Sequence, residues 1–369
     1  MFVRSGNPAV QFRRVEHLHI VTVTGPIPSE ELKTTSPHEH ILVDGSCWWQ
    51  KPLEASKMAL AEAPVTMNVL GELRRNGGIS LDNWKQLDID LAISELSAFK
   101  GSGGRSVVDV TVPGIGRDPR ALRAISEATA VNIICATGWY LAPSHPPYVK
   151  HREIDELADI MMGELTDEIG YSGIKAGIIK VGLSEPLLEE EIKVLRAAGR
   201  AQAKTRKPLT IHPGLYNLEM REHAKKADVY LDILKKENAD LSKVYVGHMC
   251  DTCEDIAYHK SVIDKYDVAI AYDSFGNENY LDNLWPGCGG MTDRQRVRSL
   301  VELLQSGYEK YLLMAHDVCK KTLLRKYGGY GYAHILDHIV PWLRVLGVSE
   351  GQIRAMLVDN PRRLLATNE

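Results

Sequence analysis

The stretch Ser36-Pro-His-Glu-His-Ile-Leu-Val43 is the first of eight short segments that we interpret as buried strands. Short segments rich in apolar and β-branched residues, with turn residues around them, are typical of strands covered on both faces. The seven that follow along the chain are Arg105–Val112, Val131–Thr137, Ala176–Val181, Pro208–His212, Val244–His248, Val268–Asp273 and Tyr311–Asp317.

Stretches with helical periodicity separate these strands. Asp118-Pro119 predicts a helix start, with an N-cap and a proline at the first position. The other predicted helices are Leu81–Phe99, Glu189–Lys204, Asn217–Asn238, Asp251–Tyr266 and Thr292–Tyr308. Eight strands that alternate with helices imply parallel pairing, and eight such units close a (β/α)8 TIM barrel. An open, doubly wound sheet is the alternative, and the lack of a GxGxxG motif after the first strand argues against it.

The whole chain, residues 1–369, reads as a single barrel domain with two additions. Residues 1–26 include an alternating stretch that ends at Gly25-Pro26, which predicts a short N-terminal β-hairpin under the barrel. Residues 45–80 form a long insertion after the first strand, which we interpret as a lid over the site.

Composition excludes several classes of protein. The 369 residues carry a formal net charge of −4, so the basic field that grips nucleic acid is missing. We find no apolar run long enough for a membrane span and no secretory h-region, so no membrane partner is expected. Six scattered cysteines in a long chain do not form a disulfide scaffold, and reduced thiols in the cytoplasm are expected.

Metal-compatible side chains follow the predicted strands. In a parallel barrel the active site lies at the C-terminal ends of the strands, so side chains placed there converge on one rim. His38 and His40 lie two residues apart on one strand and therefore share a face. Imidazole and carboxylate groups suit zinc and similar ions. The six candidate ligands are His38, His40, Lys180, His212, His248 and Asp317.

Eight short motifs carry a resemblance to a known family, and they extend from about residue 18 to the C-terminus. They are Thr24–Pro26, Ser36–Ile41, Gly114–Asp118, Ala176–Lys180, Thr210–His212, Gly247-His248, Ala315–Asp317 and Asn360–Arg362. The sequence resembles the phosphotriesterase family of the amidohydrolase superfamily, in its phosphotriesterase-related and lactonase-like branch.

The resemblance implies a centre of two divalent metal ions, zinc first and manganese, cobalt or iron as alternatives. His38 and His40 would hold the buried ion together with Asp317, and His212 and His248 would hold the exposed ion. Lys180, carboxylated by carbon dioxide, would bridge the two. Relatives are commonly homodimers, so a homodimer is expected.

The expected reaction is hydrolysis of a small molecule. A hydroxide bridging the two metals would attack a carbonyl or phosphoryl centre, and Asp317 would take its proton. Tyr140 stands where lactonases of the family carry a tyrosine, and it could donate a second hydrogen bond to the reacting oxygen. This favours a lactone, ester or N-acyl amide as the substrate. A phosphotriesterase and a non-catalytic small-molecule-binding protein are the alternatives. Five candidate substrate-binding residues are Trp48, Trp49, Tyr216, Lys320 and Arg325.

Overall fold

The computed structural model describes residues 18–49, 51–214, 225–280 and 289–368. The described chain begins with an antiparallel hairpin of strands β1 (His19–Thr22) and β2 (Gly25–Pro28). The backbone N–H of Val23 donates to the carbonyl of Ile133, near the start of a barrel strand, at 2.9 Å. The predicted N-terminal hairpin is therefore present, at the N-terminal end of the barrel.

Eight parallel strands form one sheet, in which every strand pairs with its neighbour along the chain. This order confirms the predicted (β/α)8 barrel, because a doubly wound sheet would reverse its strand order at a switch point. A separate two-stranded ribbon joins β4 (Val43–Asp44) and β5 (Lys85–Gln86). The barrel strands are β3 (Thr35–Glu39), β6 (Ser106–Asp109), β7 (Asn132–Trp139), β8 (Ile178–Gly182), β9 (Leu209–His212), β10 (Val244–Val246), β11 (Ala269–Tyr272) and β12 (Leu312–Met314).

The seam between the first and last barrel strands is closed differently from the other junctions. Over the described residues, no strand ladder joins β12 to β3. The N–H of Asp317 instead donates to the carbonyl of His38 at 3.3 Å. Glu39 accepts hydrogen bonds from the N–H groups of His316 and Val318, each at 3.0 Å. A buried carboxylate thus takes the place of backbone pairing at this junction.

Helices connect the strands on the outside of the barrel. They are α1 (Ala55–Glu62), α2 (Leu70–Arg75), α3 (Ile89–Gly101), α4 (Pro119–Thr129), α5 (Pro147–His151), α6 (Ile154–Thr166), α7 (Glu189–Thr205), α8 (Ala227–Lys236), α9 (Ile256–Tyr266), α10 (Asp293–Gln305), α11 (Val340–Val345), α12 (Glu350–Arg354) and α13 (Asn360–Leu365). Over the described residues, no helix combines the length and the apolar character that a membrane crossing requires.

Two predicted helices begin later than the periodicity indicated. The first begins at Ile89 rather than Leu81, because Asp88 caps its N-terminus by accepting from the N–H of Leu91. The second begins at Ile256 rather than Asp251, and Asp255 caps it in the same way. In both cases a single 3₁₀ turn precedes the cap. A competing N-cap carboxylate therefore decides where each helix starts.

The core consists of two layers that follow the alternation of side chains along the strands. Val108, Ile134 and Ile178 belong to the cluster inside the barrel. Their neighbours Val107 and Ile133 belong to the larger cluster between the strands and the helices. Since Ile178 points inward, Lys180 two residues later points inward as well.

The 45–80 insertion folds into helices α1 and α2 around a small apolar cluster of its own. Ala61, Val65, Leu73 and Ile79 are buried in this cluster. Asp82 fixes the insertion to the barrel, because its carboxylate accepts from the N–H of Val65 at 2.9 Å and from Nζ of Lys321 at 2.6 Å. The insertion therefore stands beside the loop that follows β12.

Candidate metal centre

The structure brings the six predicted ligands together at the C-terminal end of the barrel. Five of them are buried, and the side chain of Asp317 is 14% exposed. Nε2 of His40 lies 3.4 Å from Oδ1 of Asp317, and Nε2 of His38 lies 3.6 Å from the same oxygen. The ligand atoms of these three residues lie within 4.8 Å of one another. Among the residues that the structure describes, they form one of two groups that could hold an ion.

Lys180 extends from β8 into the middle of the cluster. Its Nζ lies 3.0 Å from Nε2 of His38, and its side chain is fully buried. Burial lowers the pKa of Lys180 to about 8, against the opposing charges of Asp317 and Asp273. A lysine amine reacts with carbon dioxide only in its neutral form, so a lowered pKa favours that reaction.

His212 and His248 face each other beside Lys180. Nε2 of His248 lies 2.7 Å from Nδ1 of His212, and the hydroxyl of Tyr140 lies 3.1 Å from Nε2 of His212. Burial and the charges of His248 and Lys180 lower the pKa of His212 well below its usual range. The neutral imidazole that results is the form that binds metal. Tyr140, predicted from the sequence, therefore lies beside a ligand pair.

Asp273 is a site residue that the sequence analysis did not single out. Its Oδ2 lies 2.6 Å from Nδ1 of His38, and its Oδ1 lies 3.1 Å from Nδ1 of His248. These contacts orient the Nε2 atoms of both rings, as carboxylates do behind metal-binding histidines. The charge of Asp273 outweighs the effect of burial and raises the pKa of His248 to about 9. The available signal was its position, because it follows β11 as Asp317 follows β12.

Two of the candidate ligands have left-handed backbone conformations. His248 has a φ of 54° and Asp317 a φ of 51°, which residues other than glycine seldom adopt. Hydrogen bonds hold both: the N–H of His248 donates to Asp273 at 2.8 Å, and the N–H of Asp317 donates to His38. Strain of this kind persists only where the surroundings fix it, and it is common at functional sites.

The side chains present fit divalent metal ions. Four imidazoles, a carboxylate and a buried lysine form a nitrogen and oxygen donor set, which suits zinc, manganese, cobalt or iron. Nδ1 of His40 lies 2.8 Å from the hydroxyl of Thr111, which turns Nε2 of the ring toward Asp317. His38 belongs to both groups that could hold an ion, and the second group adds His248 and Asp273.

A cavity of about 140 Å³ opens onto these ligands. His40, His212, His248 and Asp317 line its floor, and Tyr140, Trp48 and Trp84 form an aromatic wall. The rings of Trp48 and Trp84 are stacked with centroids 6.5 Å apart, and Trp48 lies 6.0 Å from Tyr140. Other lining residues are Asp251, Ser274, Asn277, Asn279, Arg296, Cys319 and Lys320.

The predicted substrate-binding residues divide into three groups. Trp48 and Lys320 line the cavity. Trp49 does not, because its indole donates to the carbonyl of Ile79 at 2.8 Å inside the insertion. Arg325 is exposed and lies outside the lining. Tyr216 falls outside the described residues. Trp84, which the sequence analysis placed in a helix, lines the cavity, whereas Trp49 does not.

Comparisons with known proteins show which family the chain belongs to. A sequence model of the phosphotriesterase family matches residues 18–365. The chain is 35% identical to the phosphotriesterase-related protein of Nematostella vectensis, over 93% of this chain and 97% of the relative. It is 34% identical to the N-acetyltaurine hydrolase of Xenopus tropicalis, over 94% of this chain and 97% of the relative.

Solved structures give the same result. A resiniferatoxin-binding protein from Rhodobacter sphaeroides superposes with a TM-score of 0.88 at 36% identity, over 95% of this chain and 96% of the other. A variant of the organophosphorus hydrolase of Deinococcus radiodurans superposes with a TM-score of 0.72 at 28% identity, over 95% of this chain and 98% of the other. The chain therefore belongs to the phosphotriesterase family and is a metal-dependent hydrolase.

Proposed function

We propose that the protein hydrolyses a carboxyl-centre bond in a small molecule, and that the bond is the amide of an N-acylated amine. The observation that carries this proposal is the position of the Tyr140 hydroxyl, 3.1 Å from Nε2 of His212 at the cavity floor. Relatives named N-acetyltaurine hydrolases, 31–35% identical over 94% of this chain, support the choice of an amide.

The site would hold two divalent metal ions, and zinc is the metal that we propose first. His38, His40 and Asp317 would bind one, and His212 and His248 the other, with carboxylated Lys180 between them. When bound, such ions supply Lewis acidity and make water a nucleophile at neutral pH. The 3.0 Å approach of Nζ of Lys180 to Nε2 of His38 supports the central place of the lysine.

Asp317 would move the proton. Although burial raises its pKa, the hydrogen bond from His40 and the charges of His248 and His38 hold the pKa of Asp317 well below its usual range. Its carboxylate is therefore ionised at neutral pH and can accept a proton at Oδ1 from the attacking water. The same oxygen then delivers that proton to the nitrogen of the departing amine.

Tyr140 would stabilise the oxygen of the substrate carbonyl. Burial raises the pKa of Tyr140 well above its ordinary value, so the hydroxyl keeps its proton and acts as a donor. A fixed donor aimed at the developing negative charge stabilises the transition state more than the ground state. A lactone or an ester would be attacked in the same way.

Two other functions are kept as competitors. Variants of an organophosphorus hydrolase are among the structural neighbours, and they support a phosphotriester as the alternative substrate. The second alternative, binding of a small molecule without turnover, rests on the resiniferatoxin-binding neighbour. We also infer a cytoplasmic setting, supported by the unpaired thiols of the five described cysteines, and a homodimer, which stays a prediction from the family.

The test is turnover of a matched substrate panel by zinc-loaded and manganese-loaded protein, with a chelated control. N-acetyltaurine represents the amides, and a lactone, a carboxylic ester and a dialkyl aryl phosphate represent the rest. Amine release and proton release are followed together. Metal-dependent turnover that is highest for the amide is expected. Preferential turnover of the phosphotriester, or binding without turnover when two metals are verified, would replace this proposal by the corresponding competitor.

A further inference from the structure

Lys320 is a buried cation that faces the cavity, and no residue that the structure describes forms a hydrogen bond or an ion pair with its ammonium group. Its side chain lines the cavity, and the residue is 5% exposed. The contact that its Nζ does make is with the ring of Trp84, 6.0 Å from the centroid. The neighbouring Lys321 shows the ordinary arrangement, with Nζ 2.6 Å from Oδ1 of Asp82.

An ammonium group removed from water without a partner is costly. Lysine is almost never fully buried unless it is paired, because the lost hydration must be replaced by a counter-charge and hydrogen bonds. A single cation–π contact at 6.0 Å replaces only part of it. Arg296, the other lysine or arginine of the described lining, already has Asp293 at 3.0 Å. Of the two, Lys320 is therefore the one that has no anion among the described residues.

The aromatic wall leads from the metal ligands to this lysine. Tyr140 stands beside His212, Trp48 lies 6.0 Å from Tyr140, and Trp84 stacks on Trp48 at 6.5 Å. The Nζ of Lys320 lies over the ring of Trp84, at the other end. A substrate lying along the wall would have its scissile bond at Tyr140 and its far end at Lys320.

We propose that Lys320 is a specificity-determining residue that binds an anionic group, a carboxylate or a sulfonate, on the amine portion of the substrate. This inference rests on the proposed amide hydrolysis and adds the substrate class: amides that bear a negative charge beyond the scissile bond. The three N–H donors of an ammonium group suit either oxyanion. Trp84 would cover the methylene groups between the amide and the anion.

Three amides of nearly equal size test the proposal. N-acetyltaurine carries a sulfonate, N-acetyl-β-alanine carries a carboxylate, and N-acetylethanolamine is neutral. Each is assayed with the wild type, with Lys320→Met and with Lys326→Met. Methionine keeps the apolar stem of the lysine, and Lys326→Met removes the same charge from an exposed position of the same segment. The sulfonate and carboxylate arms show which oxyanion the lysine prefers.

The wild type should prefer one or both anionic amides. Lys320→Met should lower kcat/KM for the preferred amide about ten- to a hundredfold, the range expected for a charged hydrogen bond. For the neutral amide, kcat/KM of Lys320→Met should stay within about twofold of the wild-type value, because a charge that does not contact the substrate has only a small effect. Lys326→Met should match the wild type throughout. An equal loss on charged and neutral amides, or the same selective loss in Lys326→Met, would overturn the proposal.

A binding measurement separates this inference from the proposed function. Ethanesulfonate and propionate are titrated calorimetrically into metal-loaded wild type and both variants. Binding that Lys320→Met weakens about tenfold or more, in a protein that hydrolyses none of the amides, would reject amide hydrolysis and keep the anion site. Amide turnover without anion binding that depends on Lys320 would keep the proposed amide hydrolysis and reject the anion site.

Thermal unfolding provides a control for misfolding. If Lys320 served the fold, its removal would lower Tm. Removing a buried charge that lacks a partner should instead leave Tm of the ligand-free protein unchanged or raise it. A lowered Tm in both Lys320→Met and Lys320→Gln would assign the lysine a structural role and overturn the proposal.

Discussion

Oε1 of Glu39 lies 2.6 Å from Nδ1 of His316, and this contact joins the first and last strands of the barrel. Both residues are buried, at 0% and 2% exposure. The same carboxylate accepts from the hydroxyl of Ser36 at 2.6 Å and from the N–H of Val318 at 3.0 Å. Glu39 lies between His38 and His40, and His316 precedes Asp317, so the contact also fixes three candidate ligands relative to one another.

Replacing Glu39 by glutamine should destabilise the barrel at this seam. The amide has the same shape but only one acceptor oxygen, so at least one buried donor loses its partner. We expect a loss of about 1–3 kcal/mol in the free energy of unfolding. Urea unfolding of the metal-free protein measures it, with Glu72→Gln on an exposed helix face as the control. Equal unfolding curves for the two variants would show that the seam does not depend on the carboxylate.

Asp317→Asn should strongly reduce turnover. The amide cannot accept the proton that we assign to Oδ1, and positioned proton transfer contributes about 10²- to 10⁴-fold to rates. Elemental analysis of the purified variant must accompany the assay, because Asp317 also belongs to a group that could hold an ion. Near wild-type turnover at full metal content would exclude Asp317 as the proton acceptor.

Removal of the metals should lower thermal stability as well as activity. Imidazoles and a lysine are crowded together at the site, with 2.7 Å between His248 and His212 and 3.0 Å between Lys180 and His38. An ion that binds only the folded chain stabilises it by about 2.7 kcal/mol at a concentration a hundredfold above Kd. Calorimetric scans before and after chelation, and after zinc is restored, measure the shift. An unchanged Tm would mean that the cluster does not bind zinc.

Asp293 should make stability depend on pH in the acid range. Burial raises its pKa, but the hydrogen bond from His334 and the charge of Arg296 outweigh burial and lower it. The folded pKa therefore lies below the unfolded value of about 3.9. The stabilisation is present above that value and is lost as the pH falls through the folded pKa.

Asp293→Asn isolates this contribution. At pH 7 the variant should lose about 3–5 kcal/mol, because Arg296 stays buried without its charge partner. Between about pH 5 and pH 3 the wild type should lose more stability than the variant, which no longer has the carboxylate. Urea unfolding at several pH values compares the two proteins. Parallel pH profiles would show that Asp293 does not titrate with unfolding.

Much of the fold could be predicted because the strands and the candidate ligands follow the same two-residue alternation, with a polar residue at the end of the strand. The inward position of Ile178 fixes that of Lys180, and the end of each strand places its polar residue on the rim. Such placement depends on the period of the strand alone, which a single sequence shows. The resemblance to the family then gave the ligand set its roles.

Side chains whose partners are distant in sequence could not be predicted in this way. Asp273 acts through rings from β3 and the loop after β10, and no local pattern reveals that contact. The presence of Trp84 in the cavity wall, and the absence of Trp49 from it, also depend on contacts between residues distant in sequence. Trp84 reaches the wall because a 3₁₀ turn and the short strand Lys85–Gln86 replace the first turns of the expected helix. Local periodicity does not record such tertiary pairing.

The seam at Glu39 joins residues that are made at different times during synthesis, so the barrel can close there only after both have been made. Synthesis runs from the N-terminus, so His38 and His40 are made well before His316, Asp317 and Val318. Until those residues are made, Glu39 lacks the donors that close the barrel, and the candidate metal group of His38 and His40 lacks its carboxylate. On the proposed ligand set, a nascent chain that stops before Asp317 cannot assemble the centre, so metal would bind only after that residue has been made.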